Sequence, residues 1–307
     1  MGDGRRRVPV IVGPTAVGKT AVAVALADHW PVTVVSADSR QVYRGLDIGT
    51  AKPDAALRAR VPHLGLDVVD PGERYSAGQF ARDAAGWLRR LPGDRHPIVV
   101  GGTGFYVRAL AEGLFREPQM DPERRERLRT WARDFSPLAA WAARLDPEYS
   151  GGGRQRAARA VEIALLSGRP LSWWQRHARA RGVIEPWYVR LTVPRAVLER
   201  RIIERTDAML SAGWVDEVRQ VLERGIAPTA PGLDAVGYRE IVRFLAGGLP
   251  AADLAGEIAR ATRRYARRQE TWFRHQLGPD ITVLDATEPP AALAARIAAV
   301  RAVGERP

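Results

Sequence analysis

The chain carries Gly13-Pro14-Thr15-Ala16-Val17-Gly18-Lys19-Thr20, which fits the phosphate-loop pattern G-x-x-x-x-G-K-S/T. A short apolar run at residues 8–12 precedes it and reads as a strand. An Ala/Val-rich run at residues 21–27 follows it and reads as a helix. Strand, glycine loop and helix start together make an anion nest: backbone N–H groups point inward and the helix dipole adds partial positive charge. Lys19 is placed to reach terminal phosphates, and the Thr20 hydroxyl to sit on Mg²⁺. A phosphorylated ligand is therefore expected. The loop by itself does not say whether that ligand is a nucleotide, or what chemistry follows.

The same strand–helix alternation continues to about residue 113, which predicts an α/β class with a phosphate-loop-type parallel sheet flanked by helices. Residues 31–35 form a β-branched run ending in Ser36-Ala37-Asp38-Ser39-Arg40-Gln41, a loop at the carboxyl end of a strand, where open α/β sheets place ligand groups. Residues 63–70 read as an edge or connecting strand, and residues 76–91 as a helix by apolar spacing. Residues 97–100 are a buried strand running into Gly101-Gly102-Thr103-Gly104, a second glycine loop expected close to the first.

Composition shifts at residues 116–122, and from there to about 186 only helices are expected. The predicted organisation is a core segment at 1–118, an all-helical insertion at 119–186, and core completion with C-terminal helices at 187–307. Within the last segment, residues 187–193 and 281–284 read as strands. Residues 195–209, 215–224, 233–246, 254–275 and 289–303 read as helices.

Net charge is +12, from 47 Lys+Arg against 35 Asp+Glu, and lysine occurs only at Lys19 and Lys52. An arginine-rich excess on a phosphate-loop protein points to a polyanionic partner, because guanidinium forks bind phosphate bidentately and stack on bases. Arg260, Arg264 and Arg268 recur at helical spacing, with Arg263, Arg267 and Arg274 beside them and Tyr265, Trp272 and Phe273 interleaved. That stripe is either a surface for nucleic-acid backbone or a solvated face. Cysteine is absent, which excludes disulfides, thiolate catalysis and Cys-ligated metal sites. No apolar run approaches a membrane span, and residues 1–7 are polar and basic, unlike a signal peptide. A cytoplasmic location and no membrane partner are expected. The five histidines lack metal-ligand spacing.

Among the acids, Asp38 stands out, three positions past a strand on the phosphate-loop side. It can hold the water shell of Mg²⁺, act as a general base, or cap a helix. An Asp directly after an apolar strand, as in a Walker B acid, is missing; residues 98–100 end in Gly101 instead. Thr103 offers a hydroxyl between glycines, or simply a tight turn. Arg239, in Asp234-Ala235-Val236-Gly237-Tyr238-Arg239, is read near a helix opening, where the dipole disfavours a cation, so an anionic partner is one reading and a solvated side chain the other.

Taken together, Gly13 to Thr20, then Asp38-Ser39-Arg40-Gln41-Val42-Tyr43, Gly45-Leu46-Asp47-Ile48-Gly49-Thr50-Ala51-Lys52-Pro53, Gly101-Gly102-Thr103-Gly104-Phe105-Tyr106, Val236-Gly237-Tyr238-Arg239 and the late helix with Arg268-Gln269 and Thr271-Trp272 resemble the tRNA dimethylallyltransferase family in order and spacing. The resemblance implies transfer of a dimethylallyl group from dimethylallyl diphosphate to N6 of the adenine 3′ of a tRNA anticodon. It implies Asp38 as general base, Thr103 at the reacting end, and Lys19, Arg239, loop N–H groups and Mg²⁺ on Thr20 around the departing diphosphate. By the same resemblance, Asp38, Ser39, Arg40, Gln41, Thr103, Arg125, Gln155, Arg156, Ala157, Ala158, Arg159, Asp234, Ala235, Val236, Gly237, Tyr238 and Arg239 meet the tRNA. The stretch at residues 146–153 is shorter than the family's and lacks its Ile-His-Pro-Asn-Asp-like run. A monomer is expected, since no self-complementary apolar stripe stands out. The competing readings are a small-molecule kinase on a similar sheet, and a nucleic-acid binder with a regulatory nucleotide switch.

Overall fold

The computed structural model describes residues 5–304 apart from 117 and 279, with only the backbone described for 301–304. Residues 1–4 of the polar start, and Glu117 within the composition shift, lie outside the described residues. The chain divides into two compact units, residues 1–111 with 183–307, and residues 112–182.

The first unit is built on six parallel strands: β1 Arg7–Val12, β2 Val32–Ser36, β3 His63–Leu64, β4 His96–Gly101, β5 Glu185–Thr192 and β6 Ile281–Asp285, in the order β3-β2-β4-β1-β5-β6. β2 is buried at every residue, and only the first residue of β1 is exposed. Such continuous apolar runs suit strands covered on both faces, as parallel sheets require. Helices α1 Lys19–Ala25, α2 Ala55–Arg60, α3 Ala77–Arg89 and α4 Gly104–Ala111 alternate with the strands. After β5 come α9 Arg195–Ser211, α10 Trp214–Glu223, α11 Tyr238–Leu245 and α12 Ala251–Gln276, with α13 Pro290–Gly304 after β6. Ile11, Val34, Ile98, Val189 and Leu191 of the sheet pack with Val22 and Leu26 near α1 and with Leu293 and Ile297 of α13. Each such side chain contributes roughly 1.5–3 kcal/mol by leaving water.

Three elements differ from the sequence expectation. The strand read at 63–70 shrinks to His63–Leu64, because Gly65 (φ 83°) and Asp67 (φ 55°) take left-handed conformations and turn the chain; Val69 keeps one bridge, to Tyr43. The helix read at 233–246 starts only at Tyr238. Gly237 (φ 88°) breaks the run, and its N–H donates to Glu240, closing the helix start. Asp234, Ala235 and Val236 therefore lie in turns before the helix. α2 was not expected; Asp54 caps it by accepting from the Leu57 N–H.

In the second unit, α5 Pro122–Asp134, α6 Leu138–Leu145, α7 Gly153–Ser167 and α8 Leu171–His177 pack around Ala132, Leu138, Ala142, Ala157, Ala160 and Val161. An antiparallel bridge between Phe115 and Arg179 joins its ends. Buried Glu162 accepts from Arg125 (2.9 Å), Arg129 (2.8 Å) and Arg159 (2.5 Å). Burial alone would raise this carboxyl. The Arg129 hydrogen bond and the three positive charges outweigh it, and its pKa is lowered. Among the described residues, no helix is long and apolar enough to cross a membrane.

Candidate active site

The phosphate loop leaves the central strand β1. Gly13 (φ 151°), Ala16 (φ 63°) and Gly18 (φ 106°) hold it in a curl that turns N–H groups into one concavity. A Cβ on Gly13 would lie 2.7 Å from the Leu191 carbonyl oxygen, so a side chain is excluded there. Lys19 is only half-buried as a residue, but its ammonium is turned back inside, donating to the carbonyls of Gly13 (2.9 Å) and Pro14 (2.7 Å). Desolvation pushes its pKa down to about 7, Asp38 opposing the shift and Arg205 adding to it. Thr20 is exposed, and with Thr15 to Lys19 it lines a cavity of about 1110 Å³.

Asp38, Ser39, Arg40, Gln41, Thr103, Asp234, Ala235, Val236, Tyr238 and Arg239 line this same cavity, though residues as far apart as 15 and 239 supply its wall. Asp38 is half-buried two positions beyond β2, and its Oδ1 accepts from the Arg40 N–H at 2.8 Å. That is an Asx turn with no helix start behind it, so the helix-cap reading of Asp38 falls away. Thr103 holds the loop after Asp38: its Oγ1 accepts from the Ser39 N–H (3.0 Å) and donates to Ser39 Oγ (3.2 Å). The Arg40 guanidinium is committed to the Pro231 carbonyl (3.0 Å). Gln41 is fixed between the Ser36 hydroxyl and the carbonyls of Thr50 and Ala51. Arg239 already has an anionic partner, Asp234 at 3.3 Å, and both remain more than half exposed.

The missing Walker B acid has a steric cause. β2 and β4 come so close at their carboxyl ends that a Cβ on Gly101 would sit 2.1 Å from the Ala37 carbonyl oxygen. The Thr103 N–H donates to that same oxygen at 3.2 Å. No carboxylate side chain fits at this position without parting the sheet.

Three groups have roles that the sequence reading did not assign. Arg205 of α9 lines the cavity, and burial lowers its pKa while Asp38 raises it. Its signal was an arginine on the helix face that also buries Leu198, Ile202 and Thr206. Gln269 of α12, 6% exposed, accepts from the Thr15 N–H (2.8 Å) and donates to the Gly102 carbonyl (2.8 Å), tying the two glycine loops together. Tyr265 lies against Thr103, and burial pushes its phenol up to about 12. Arg268 stacks on Tyr265 (5.7 Å), and Arg268, Tyr265, Trp272 and the fully buried Phe273 all line the cavity.

In the helical unit, Gln155 and Arg156 are exposed at the start of α7, Ala158 is half-buried, and Ala157 is buried in the helix core. The side chain of Ala157 is thus unavailable to a ligand. Arg125 and Arg159 are engaged with Glu162, and Arg154 donates to the Ala132, Arg133 and Phe135 carbonyls at the end of α5.

Residues 41–276 match the family described as IPP transferase, and residues 6–60 match isopentenyl transferase. A tRNA dimethylallyltransferase of Halorhodospira halophila is 45% identical over 280 residues, covering 87% of this chain and 89% of that protein. One from Syntrophobacter fumaroxidans is 42% identical over 293 residues, covering 89% and 84%. Among solved structures, the full-length tRNA isopentenylpyrophosphate transferase of Bacillus halodurans is 32% identical with a TM-score of 0.71, covering 97% of this chain and 96% of that one. A eukaryotic dimethylallyltransferase acting on tRNA is 26% identical with a TM-score of 0.81, covering 98% and 80%. With its glycine loops, its Asp38 cavity and these relatives spanning most of its length, the chain belongs to the IPP transferase family.

Proposed function

We propose that this protein transfers the dimethylallyl group of dimethylallyl diphosphate to N6 of the adenine 3′ of a tRNA anticodon, releasing diphosphate. The observation that carries the reading is that Asp38 shares one cavity with the phosphate loop, while the Walker B position is sterically closed. An anion nest without that acid suits a diphosphate that leaves rather than a nucleotide that is hydrolysed.

Adenine N6 is a poor nucleophile, since its lone pair is delocalised into the ring. As N6 attacks the allylic carbon, the C–O bond to diphosphate breaks and its electron pair departs on oxygen. The Asp38 carboxylate accepts the N6 proton as the C–N bond forms. Protonated Lys19, Arg205, Arg239 and the loop N–H groups stabilise the departing charge. Thr103 orients the Asp38 loop through Ser39 and presents its hydroxyl to the reacting nitrogen. The base must leave its stack to enter a cavity of this kind.

Mg²⁺ fits the donor set. Thr20 and Asp38 offer hard oxygens to the cavity, and Mg²⁺ needs few protein ligands because it keeps waters and takes phosphate oxygens. Thr20 would hold it, and it would neutralise diphosphate charge. The exposed Gln155 and Arg156 of the helical unit supply further tRNA contacts, and the protein acts as a cytoplasmic monomer.

The test is incubation of the protein with tRNA and labelled dimethylallyl diphosphate, with nucleosides read by mass spectrometry. Prenylated adenosine beside the anticodon is the expected product. Phosphoryl transfer from ATP without RNA would favour the kinase reading instead.

A further inference from the structure

Two walls of the cavity share no strand. One is the loop after β2, which contributes residues 38–41 and 49–51; the other is the turn and helix start, with residues 234–236, 238 and 239. Both converge on α10. Glu217 Oε2 accepts from the N–H groups of Asp47 (2.6 Å) and Ile48 (2.7 Å). Its Oε1 accepts from the Gly49 N–H (3.3 Å) and from the Tyr238 hydroxyl (2.7 Å). A single carboxylate thus holds three successive amides of one wall and the first helical residue of the other.

Trp214 lies one helical turn before Glu217 and repeats the tie by shape. Its indole is 3% exposed, meets the Tyr238 ring edge-on at 5.4 Å, and fills the space between Gly49 and Gly237. A Cβ on Gly49 would fall 2.0 Å from the indole, and one on Gly237 would fall 1.9 Å from it. Both glycines are therefore required by the ring between them.

The loop also carries bonds of its own. Thr50 Oγ1 donates to the Leu46 carbonyl at 2.5 Å. Lys52, its side chain 1% exposed, donates to the Tyr43 carbonyl, Asp47 and Asp67. What α10 determines is where this loop sits relative to Arg239. Gln41 relays that placement inward, since its amide donates to Thr50 and Ala51 while its oxygen accepts from Ser36, two residues before Asp38.

We propose that Trp214 and Glu217 are positioning residues that set the separation of the two acceptor-side walls, and hence the fit of the acceptor nucleotide, without touching the donor diphosphate. The proposal rests on the prenyl-transfer reading above. It predicts that tRNA is affected more than the donor, because of the groups around the diphosphate only Arg239 sits on these walls, while the phosphate loop is held separately by Gln269.

The experiment is steady-state kinetics of Glu217→Ala, Glu217→Gln and Trp214→Phe with tRNA and donor varied independently. Glu217→Ala raises KM for tRNA by about tenfold or more, raises KM for the donor by no more than about threefold through Arg239, and lowers kcat at saturating tRNA by no more than about tenfold through the Asp38 loop. Glu217→Gln keeps one acceptor oxygen and an amide that donates to Tyr238, and restores KM for tRNA to within about threefold of the parent. Trp214→Phe keeps an aromatic ring but fills less of the gap, and it raises KM for tRNA more than KM for the donor. Equal rises in both KM values, a fall in kcat alone, or no change in any variant would overturn the clamp. An inactive parent protein would instead overturn the prenyl-transfer reading. Thermal melts of the three variants identify any that fail to fold, and the Glu217→Gln comparison then decides.

Discussion

Lys19 makes binding of diphosphate a proton-uptake reaction. In the free protein its pKa is about 7 against an ordinary 10.5, with desolvation as the main cause. That gap corresponds to about 5 kcal/mol disfavouring an ammonium in this nest when no anion is present. The sign follows: between pH 7 and 10 the unfolded chain binds the proton more readily, so the free protein gains stability as pH rises through that window. An arriving diphosphate reverses the balance, because its charge compensates the ammonium. At pH 8 roughly a tenth of the free protein carries the proton on Lys19, and binding takes up close to one; below about pH 6 Lys19 takes up almost none. Each pH unit above 7 then costs up to about 1.4 kcal/mol, or tenfold in Kd. The assay is titration calorimetry with inorganic diphosphate from pH 6 to 9 in buffers of different ionisation enthalpy, where the buffer dependence gives the protons exchanged. Lys19→Arg, charged throughout, subtracts the titration of diphosphate itself. Identical proton uptake by the parent and Lys19→Arg would refute the reasoning.

Asp38→Asn lowers single-turnover prenyl transfer by about 10²–10⁴-fold while donor affinity stays within about threefold, measured by rapid quench and by calorimetry. Gln269→Ala leaves the Thr15 amide and the Gly102 carbonyl without their side-chain partner and costs about 2–4 kcal/mol in denaturant melts. Gly101→Asp does not create an ATPase: the clash with Ala37 destabilises the fold by about 3 kcal/mol or more, read as a lowered Tm with no ATP turnover. In the helical unit, Glu162→Gln leaves Arg125, Arg129 and Arg159 around a neutral group and costs about 3–5 kcal/mol, seen as faster amide exchange across α5 and α7.

Much of the sheet and the first half of the site was legible in the sequence. Residues 8–12, 31–35 and 97–100 are continuous apolar runs, and parallel strands buried on both faces need that pattern. The glycine loops were legible for a related reason, since left-handed φ values at Gly13 and Gly18 leave few other residues possible. Asp38 followed from its place after a strand. The roles that went unassigned act across long stretches of chain. Gln269 reaches Thr15 across 254 residues, and Glu217 reaches Ile48 across 169. Both bind backbone amides, and a backbone partner leaves no mark on the sequence of the segment it belongs to. Arg205 was hidden because an arginine among apolar helix positions looks like one more member of a basic population. The start of α11 was misplaced because the helix was read from residue 233, whereas Gly237, packed against Trp214 at a positive φ, breaks that stretch.

The scarcity of lysine has a chemical consequence. Lys52 is sealed behind three acceptors, while Lys19 holds an amine whose pKa is about 7. An acylating reagent attacks only the free base, and near neutral pH that form is abundant at Lys19 and scarce at ordinary lysines. The amine is turned inside and bonded to the Gly13 and Pro14 carbonyls, so only a reagent small enough to enter the cavity reads it. Adding diphosphate restores the proton and silences the reagent, which makes residue 19 a built-in reporter of site occupancy.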